Sequence, residues 1–357
     1  MKFIKYIFAV LALALGMAAC TPVDEGGELK IKTDKLYIQA NGKDVAKLTV
    51  TQGERDVTDK VQFYQGTTPI TLTNGQFTTT TTGEFEFWAE YNAEITEKIT
   101  VTALAVAVPE TPADPQPQST SFKRRILLTQ FTGTGCKFCP AMKTTIKEVL
   151  SDETVGNKVV KTAAHTFNSS DPAYLESPLD DAMGISNYPW VVFDMAYGFN
   201  NSADKKGMTD KINSIHAAQT AKAGISVNSV IKDGVLVAKV AVKGAEDTDL
   251  RIGAWLLEDG INGKQTAATE DWHNTHNECI RIADSKVSSI NFSGHRLGRL
   301  AKGKVAEHVF VMNLDPSWKV SNLHLAVFVT AANDKGEYIV NNVIDCPANG
   351  VTPYDYL

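Results

Sequence analysis

Apolar and polar residues alternate in short runs through the first third of the chain, and no segment there shows a helical period. Asn-Gly dipeptides at Asn41 and Asn74 mark turns between such runs. The alternating runs occupy residues 36–38, 46–50, 61–64, 85–91 and 95–101. About seven short strands of this kind are typical of one sandwich class. Residues 29–107 are therefore predicted to form an immunoglobulin-like β-sandwich.

The pattern changes in residues 122–223, where strand and helix signals alternate. Three apolar runs predict strands at residues 126–131, 159–166 and 190–193. Three segments with apolar residues at helical spacing predict helices at residues 142–150, 174–183 and 208–219. Strands that alternate with helices are typical of βαβ units, so we expect a mostly parallel sheet.

Strand signals return in residues 224–357, which are predicted to form a second β-sandwich with a polar loop at residues 258–277. The strands are expected at residues 225–230, 236–242, 250–257, 279–283, 308–313, 323–331 and 338–344. Residues 108–121 hold four of the thirteen prolines and no aromatic residue. Such a segment is predicted to be an extended, semi-rigid linker.

The first twenty residues indicate export. Lys2 and Lys5 precede an apolar run over residues 7–15, which is followed by small residues and Cys20. Residues 1–19 are therefore predicted to be a lipoprotein signal peptide, and residues 20–28 a tether. The stretch before Cys20 resembles a bacterial lipobox, which implies cleavage there and lipidation of the Cys20 thiol. An ordinary secretion signal cleaved nearby is the alternative. Lipid chains on Cys20 would hold the protein at a membrane.

Charge excludes one class of partner. The chain has 35 basic and 41 acidic residues, and removal of residues 1–19 would take away two lysines and no acid. No basic stripe is present, so we expect no binding to nucleic acid. An acidic body also suits an envelope protein that is anchored by lipid and does not adhere to anionic headgroups.

One segment suggests chemistry. An apolar run at residues 126–131 leads through a glycine-bearing turn to Cys136 and Cys139, and a helical pattern follows. Cysteines at a helix N-terminus form thiolates readily, because the helix dipole and free N–H groups stabilise the anion. Cys136 is thus predicted to be the nucleophile and Cys139 the resolving thiol in exchange with exported protein thiols or disulfides. No cofactor is predicted.

Two further residues could assist this chemistry. Pro189 stands just before the strand at residues 190–193 and is expected in the cis form, which would leave the backbone of Tyr188 free to bind a substrate strand. A trans proline in a turn is the alternative. His165 ends a strand parallel to the one before Cys136, so it is predicted to assist proton transfer. A capping or loop histidine is the alternative for His165.

The motifs together resemble a known family. The residues that carry the resemblance are Phe131-Thr132-Gly133, Cys139-Pro140-Ala141-Met142, Tyr188-Pro189, His276-Asn277 and Arg281. They are similar to those of the outer-membrane-protein-28-related lipoproteins of Bacteroidetes, over roughly residues 122–344. The resemblance implies a multidomain lipoprotein in the cell envelope, anchored to the outer membrane on its periplasmic or surface face. It further implies a thioredoxin-like α/β domain at residues 122–223, followed by the C-terminal β-sandwich.

Two departures from the thioredoxin pattern leave the activity of the dithiol open. Gly135 stands where thioredoxins carry Trp before the first cysteine, and the neutral Gln130 stands where they carry a buried carboxylate that acts as a base. Cys136 and Cys139 could instead form a structural disulfide, which persists in oxidising compartments. A non-catalytic binding or structural lipoprotein is therefore the alternative to a thiol–disulfide oxidoreductase.

The remaining histidines and cysteines form a weaker pattern. His273, His276 and Cys279 have a spacing that could ligate zinc only if the backbone turned, and no fourth ligand is evident. Packing is the favoured interpretation, and no metal site is predicted. Cys279 and Cys346 are expected to pair as a second disulfide, since unpaired cysteines in an exported protein often do.

Overall fold

Strands are the main regular secondary structure of the described chain, which comprises residues 27–357 of a computed structural model. The predicted signal peptide and Cys20 lie outside the described residues. The chain divides into two units, of which the first ends at Leu104 and the second runs from Ala105 to Leu357. Among residues 27–357, no helix combines the length and the apolar character that a bilayer crossing would need.

The first unit contains ten strands and two 3-10 turns, at Thr58–Lys60 and Thr73–Gly75. The strands are β1 (Leu29–Thr33), β2 (Tyr37–Gln39), β3 (Ala46–Gln52), β4 (Arg55–Asp56), β5 (Gln62–Gln65), β6 (Thr68–Ile70), β7 (Gln76–Phe77), β8 (Gly83–Tyr91), β9 (Glu94–Ile95) and β10 (Ile99–Leu104). One sheet has the order β1-β3-β4 with β7 beside β3, and the other has the order β2-β10-β8-β5-β6 with β9 beside β8.

Alternation explains why these strands pack as two layers. Every second residue of β3, from Ala46 through Leu48 to Val50, is buried, while the residues between them are more exposed. These side chains share one core with Phe63 and Phe87 of the other sheet. The first unit is therefore two sheets closed around a single apolar core.

The second unit contains fifteen strands and four helices, together with 3-10 turns at Asp271–Asn274 and Val320–Asn322. The helices are α1 (Cys139–Leu150), α2 (Glu153–Gly156), α3 (Leu179–Ala182) and α4 (Lys205–Ala217). The strands are β11 (Ile126–Thr132), β12 (Val159–His165), β13 (Trp190–Phe193), β14 (Tyr197–Phe199), β15 (Ala223–Lys232), β16 (Val235–Gly244), β17 (Thr248–Glu258), β18 (Ile261–Asn262), β19 (Thr275–His276), β20 (Cys279–Asp284), β21 (His295–Leu300), β22 (Val305–Asn313), β23 (Leu323–Ala332), β24 (Tyr338–Pro347) and β25 (Gly350–Thr352).

A nine-stranded sheet forms the centre of this unit, in the order β14-β13-β11-β12-β20-β17-β23-β24 with β21 beside β17. It joins strands from residues 122–223 to strands from residues 224–357 through one parallel pair, Ala163 with Cys279. Helices α1 and α4 pack on one face of β11 and β13. A second sheet, β22-β16-β15-β25, packs against β17, β23 and β24 around another core.

The expectation of a mostly parallel sheet was wrong. Strands β11 and β12 are parallel, but β13 runs antiparallel to β11 and pairs Trp190 with Phe131. A parallel neighbour needs a crossover that returns the chain to the opposite edge of the sheet. Residues 166–189 contain only the short α3, so β13 begins at the edge where β12 ends.

The expected helix at residues 174–183 also forms only in part, as α3 at Leu179–Ala182. Pro178 takes the N-cap position of α3. A proline cannot donate a helical hydrogen bond, and it disfavours the helical conformation of the residue before it. The helix therefore begins only after Pro178.

The Pro-rich segment is tied to the second unit by charged groups. The ammonium of the buried Lys243 lies 2.7 Å from the Asp114 carboxylate and 2.8 Å from the Pro117 carbonyl. Lys239 binds the Glu110 carboxylate at 2.8 Å. Residues 110–117 consequently lie along β16 rather than free in solvent.

Candidate dithiol site

The strand before the dithiol is buried on both faces. Ile126 and Leu128 contact the core beneath α1, while Leu127 and Phe131 contact the core on the opposite face. Beyond β11 the chain turns, and the Cys136 N–H donates to the Gly133 carbonyl at 3.0 Å. Helix α1 then begins, with a proline in its first turn, where no helical hydrogen bond is lost.

Cys136 and Cys139 form a disulfide with a Cα–Cα distance of 5.5 Å. The sequence prediction that these two residues can bridge is confirmed. Both are buried, since Cys136 is only 3% exposed and Cys139 only 1%. A substrate thiol therefore has little direct access to either sulfur in this conformation.

A loop from the C-terminal half of the chain covers the dithiol turn. We call residues 259–278, which join β17 to β20, the covering loop. The buried Gln265 side-chain amide lies 3.3, 3.2 and 3.0 Å from the carbonyls of Gly133, Thr134 and Cys136. The Thr266 N–H also donates to the Thr134 carbonyl at 2.8 Å. The covering loop thus satisfies the carbonyls of the turn that holds the first cysteine.

Exposed aromatic rings surround the same turn. Phe138, between the two cysteines, is 61% exposed, and Phe167 is 45% exposed. A Cβ placed on Gly135 would lie 3.1 Å from Phe167 Cε1, and one on Gly133 would lie 2.7 Å from Phe167 Cβ. The close approach of the Phe167 ring explains why glycine, rather than a bulky residue, precedes Cys136.

The Tyr188–Pro189 peptide bond is cis. Pro189 directly precedes β13, whose first residue pairs with Phe131 near the end of β11, so Pro189 lies at the sheet edge that carries the dithiol turn. The Tyr188 hydroxyl bonds Thr166 Oγ1 and Asp180 Oδ2, each at 2.8 Å. Burial and the Asp180 contact raise the pKa of Tyr188 to about 12, so its hydroxyl stays protonated.

His165 lies at the same edge, opposite Thr132 in the parallel pair of strands. It is buried, and its Nδ1 lies 2.8 Å from Asp171 Oδ2. The same Asp171 oxygen accepts the Thr134 N–H at 2.6 Å. His165 is therefore linked to the dithiol turn through a carboxylate, which is a positioning arrangement rather than contact with sulfur.

Asp171 is a residue that the sequence pattern did not indicate. Burial would raise its pKa, but the hydrogen bond from His165 and those from backbone N–H groups outweigh burial and lower the pKa to about 2. The neighbouring His276 ring stands edge-on to His165 with ring centroids 4.9 Å apart. Burial and the nearby His165 lower the pKa of His276 to about 4, so His276 is neutral at physiological pH.

Gln130 occupies the α1 side of β11, by alternation with Ile126 and Leu128. It is buried, and within the described residues its side-chain Nε2 has no hydrogen-bond partner. A neutral amide cannot accept a proton from the resolving thiol. The site therefore holds an unpaired donor where a base was expected from the thioredoxin pattern.

The histidines considered as zinc ligands, His273 and His276, form hydrogen bonds with different partners. His273 Nδ1 accepts N–H groups of Thr269 and Glu270, so its Nε2 donates to Thr144 Oγ1 at 3.0 Å. His276 Nε2 bonds the Gly263 carbonyl at 3.0 Å. Across residues 27–357, no group of His, Cys, Asp and Glu is arranged to hold a metal ion.

The expected pairing of Cys279 with Cys346 was wrong, because both are buried free thiols. Cys279 packs with Ala173 and Ile261, whereas Cys346 belongs to the core between the two sheets. Each Sγ donates to a nearby carbonyl, Asn277 O and Leu325 O respectively, at 3.6 Å. The two sulfurs cannot meet because they belong to separate cores.

Comparison with known proteins finds a match to a family model in the C-terminal half. Residues 176–347 match the family model described as Outer membrane protein Omp28. This range contains Tyr188 and Pro189 and begins after the dithiol. The family resemblance predicted from the motifs is confirmed over this range, and so is the predicted localisation at the outer membrane. No match was found among curated proteins.

Solved structures add a likeness in fold. HBP35 of Porphyromonas gingivalis is 18% identical, with a TM-score of 0.53 over 64% of this chain and 76% of that one. A domain of the outer membrane lipoprotein Omp28 from Porphyromonas gingivalis is also 18% identical, with a TM-score of 0.25 over 36% of this chain and 89% of that one. At such identity the likeness to HBP35 concerns the fold and not the activity.

Proposed function

We propose, on the premise that residues 176–347 match the Omp28 family of outer membrane proteins, that this chain is a lipid-anchored envelope lipoprotein that exchanges disulfides with exported proteins. The observation that carries the proposal is the disulfide at the N-terminus of α1, at the sheet edge where cis-Pro189 also lies. This is the setting of a thioredoxin-like dithiol. Cys20 would supply the anchor, and nucleic acid is not an expected partner.

The exchange starts from the oxidised form. A thiolate of a reduced substrate attacks Cys136 Sγ, the Cys136–Cys139 bond breaks, and Cys139 leaves as a thiolate. A second substrate thiolate then attacks the mixed disulfide and releases Cys136. The substrate gains a disulfide, the protein gains two thiols, and the two substrate protons end on the protein thiols or in water. Reduction of a substrate disulfide is the same sequence reversed.

The aromatic rim supports a protein substrate. Phe138 and Phe167 expose apolar rings beside Cys136, and Tyr188 packs edge-on against Phe167 with centroids 5.2 Å apart. Unfolded exported chains present apolar segments that such rings can contact. We expect access to the sulfur to require movement of the covering loop, because Gln265 binds the carbonyl of Cys136.

A second candidate function is favoured by the burial of the dithiol. Cys136 is 3% exposed, and three carbonyls of its turn are bound by Gln265. Under this alternative the disulfide only stabilises the turn, and the lipoprotein binds or supports other envelope components without catalysis. A short disulfide-closed loop of this kind would stabilise the fold by roughly 2 kcal/mol on the loop-entropy relation.

Trapping distinguishes the two candidates. In cells that express the full-length protein, the Cys136 thiolate of Cys139→Ser attacks a substrate disulfide in the reverse direction. No Cys139 thiol resolves the mixed disulfide, so exchange predicts thiol-sensitive adducts with exported proteins. The matched control is Cys136→Ser, which cannot form them by the same route. The purified mature protein should also reduce insulin in the presence of a thiol reductant. If the folded protein forms no adducts and does not reduce insulin, the second candidate, in which the disulfide is only structural, would be favoured.

A further inference from the structure

A cavity of about 580 Å³ opens between α1 and the covering loop. Four of its lining residues come from successive turns of α1, and Trp272 is contributed by the covering loop. The α1 residues are Lys143, Ile146, Lys147 and Leu150. The volume lies within the range of about 300–1,000 Å³ that is typical of small-molecule sites.

The cavity carries an excess of positive charge. Lys161, on β12, pairs with Glu278 at 2.8 Å, and both line the cavity. Lys143 and Lys147 form no ion pair within residues 27–357. Their ammonium groups lie 5.4 and 4.1 Å from the Trp272 ring centroid. Three lysines and one glutamate therefore line the cavity, which leaves an excess of two positive charges.

Lys143 is held in place by backbone oxygens. Its Nζ donates to the carbonyls of His273 and Thr275 at 3.0 and 2.7 Å, which leaves one of its three N–H groups for another acceptor. Burial, with a contribution from the Lys161 charge, lowers the pKa of Lys143 to about 8. Burial destabilises the ammonium form of Lys143 despite the nearby Glu278 charge, and a bound anion would relieve this.

Apolar side chains form part of the remaining wall, beside Ser151, Thr275 and Asn277. Ile146 is buried, Leu150 is half-buried, and the Trp272 ring is half-exposed at the rim. Such surface would favour a hydrocarbon chain over water.

We propose that this cavity binds a small amphiphile with one carboxylate and an aliphatic chain. The carboxylate contacts Lys143 and Lys147, and the chain lies along Ile146, Leu150 and Trp272. The site is separate from the disulfide exchange proposed above and does not depend on it.

The test uses the purified mature protein and laurate below its micellar concentration, followed by titration calorimetry. We expect saturable binding of one laurate, and about tenfold weaker binding of 1-dodecanol, which has the same chain without the charge. The exposed Lys147→Glu change should weaken laurate binding about fivefold or more. Trp272→Leu should weaken the binding of laurate and the binding of 1-dodecanol to the same extent.

The matched control is Lys335→Glu, which reverses an exposed lysine outside the cavity and should leave the affinity unchanged. Thermal melting confirms that each variant is folded. Absence of saturable laurate binding would overturn the proposal, as would equal affinity for 1-dodecanol. An unchanged laurate affinity in both Lys147→Glu and Trp272→Leu would also exclude this cavity as the site.

Discussion

The side-chain amide of Gln265 lies 3.0 Å from the carbonyl oxygen of Cys136, a residue 129 positions earlier in the chain. This contact connects the covering loop to the turn that presents the disulfide. Gln265 also reaches the carbonyls of Gly133 and Thr134. The turn that holds the disulfide is therefore tied to a loop from the C-terminal half of the chain.

Replacement of Gln265 should expose the disulfide. In Gln265→Ala the three carbonyls lose their shared donor, and each lost hydrogen bond is worth about 1 kcal/mol. We expect the Cys136–Cys139 bond to be reduced by dithiothreitol about fivefold faster than in the parent protein, measured by alkylation and mass spectrometry. Gln76→Ala, an exposed change in the first unit, is the control. Equal reduction rates would show that the loop does not limit access.

Removal of the unpaired amide of Gln130 should stabilise the second unit. A buried donor without a partner carries an unrecovered desolvation penalty of about 1–3 kcal/mol. Gln130→Leu fills the same space beneath α1 without a polar atom. We expect the melting temperature to rise by roughly 3 °C for each kcal/mol gained, measured by scanning calorimetry. Gln118→Leu, at an exposed position, should show no such rise; a lower melting temperature for Gln130→Leu would contradict this explanation.

The buried pair of Arg124 and Asp194 should be sensitive to the loss of one partner. Arg124 Nη2 lies 2.5 Å from Asp194 Oδ2, and both side chains are buried. Asp194 also accepts the Leu127 N–H at 2.9 Å and has a positive φ, which asparagine tolerates. Asp194→Asn leaves the Arg124 charge unpaired, so we expect a loss of about 3–5 kcal/mol in the free energy of unfolding.

The double variant Arg124→Met with Asp194→Asn tests the cause of that loss. Removal of the orphaned charge should recover part of the stability, because the penalty arises from an uncompensated buried cation. Urea denaturation of the second unit measures both variants. A double variant no more stable than Asp194→Asn would mean that the loss comes from the backbone around position 194.

Stability of the second unit should fall at alkaline pH because of His324. Burial alone would lower its pKa, but hydrogen bonding to Asp345 at 2.7 Å and the charge of Asp259 at 3.5 Å raise it to about 10. A pKa raised above the unfolded value gives stability that is complete below about pH 6.5 and disappears as the pH passes about 10. We expect a decrease on the order of 3–4 kcal/mol between pH 7 and pH 10, because a shift of one pKa unit corresponds to about 1.4 kcal/mol.

His324→Gln should remove this pH dependence, while His308→Gln should not. Burial and the adjacent His295 lower the pKa of His308 to about 4, so it is neutral throughout that interval. Urea denaturation at pH 7 and pH 10 compares the two variants. The same slope in His324→Gln and the parent protein would assign the alkaline loss to other groups.

The main elements around the dithiol were predictable because they depend on neighbouring residues. The apolar run at 126–131 became β11, and the apolar spacing of Met142, Ile146 and Val149 became the buried face of α1. The helix expected at residues 174–183 is shorter than predicted, because Pro178 prevents it from beginning before Leu179. The antiparallel direction of β13 depends on whether the connection before it returns the chain to the opposite edge of the sheet, and no local sequence pattern determines this.

The sequence by itself determined the order of strand, dithiol and helix, the cis-prolyl position before β13 and the resemblance confirmed over residues 176–347. These follow from periodicity and short motifs, which act over a few residues. Only the tertiary structure decided that Gln265 covers Cys136, that Asp171 joins His165 to the dithiol turn, and that Cys279 and Cys346 lie in separate cores. Such contacts join segments far apart in the chain, and their geometry is set by the order and register of the central sheet.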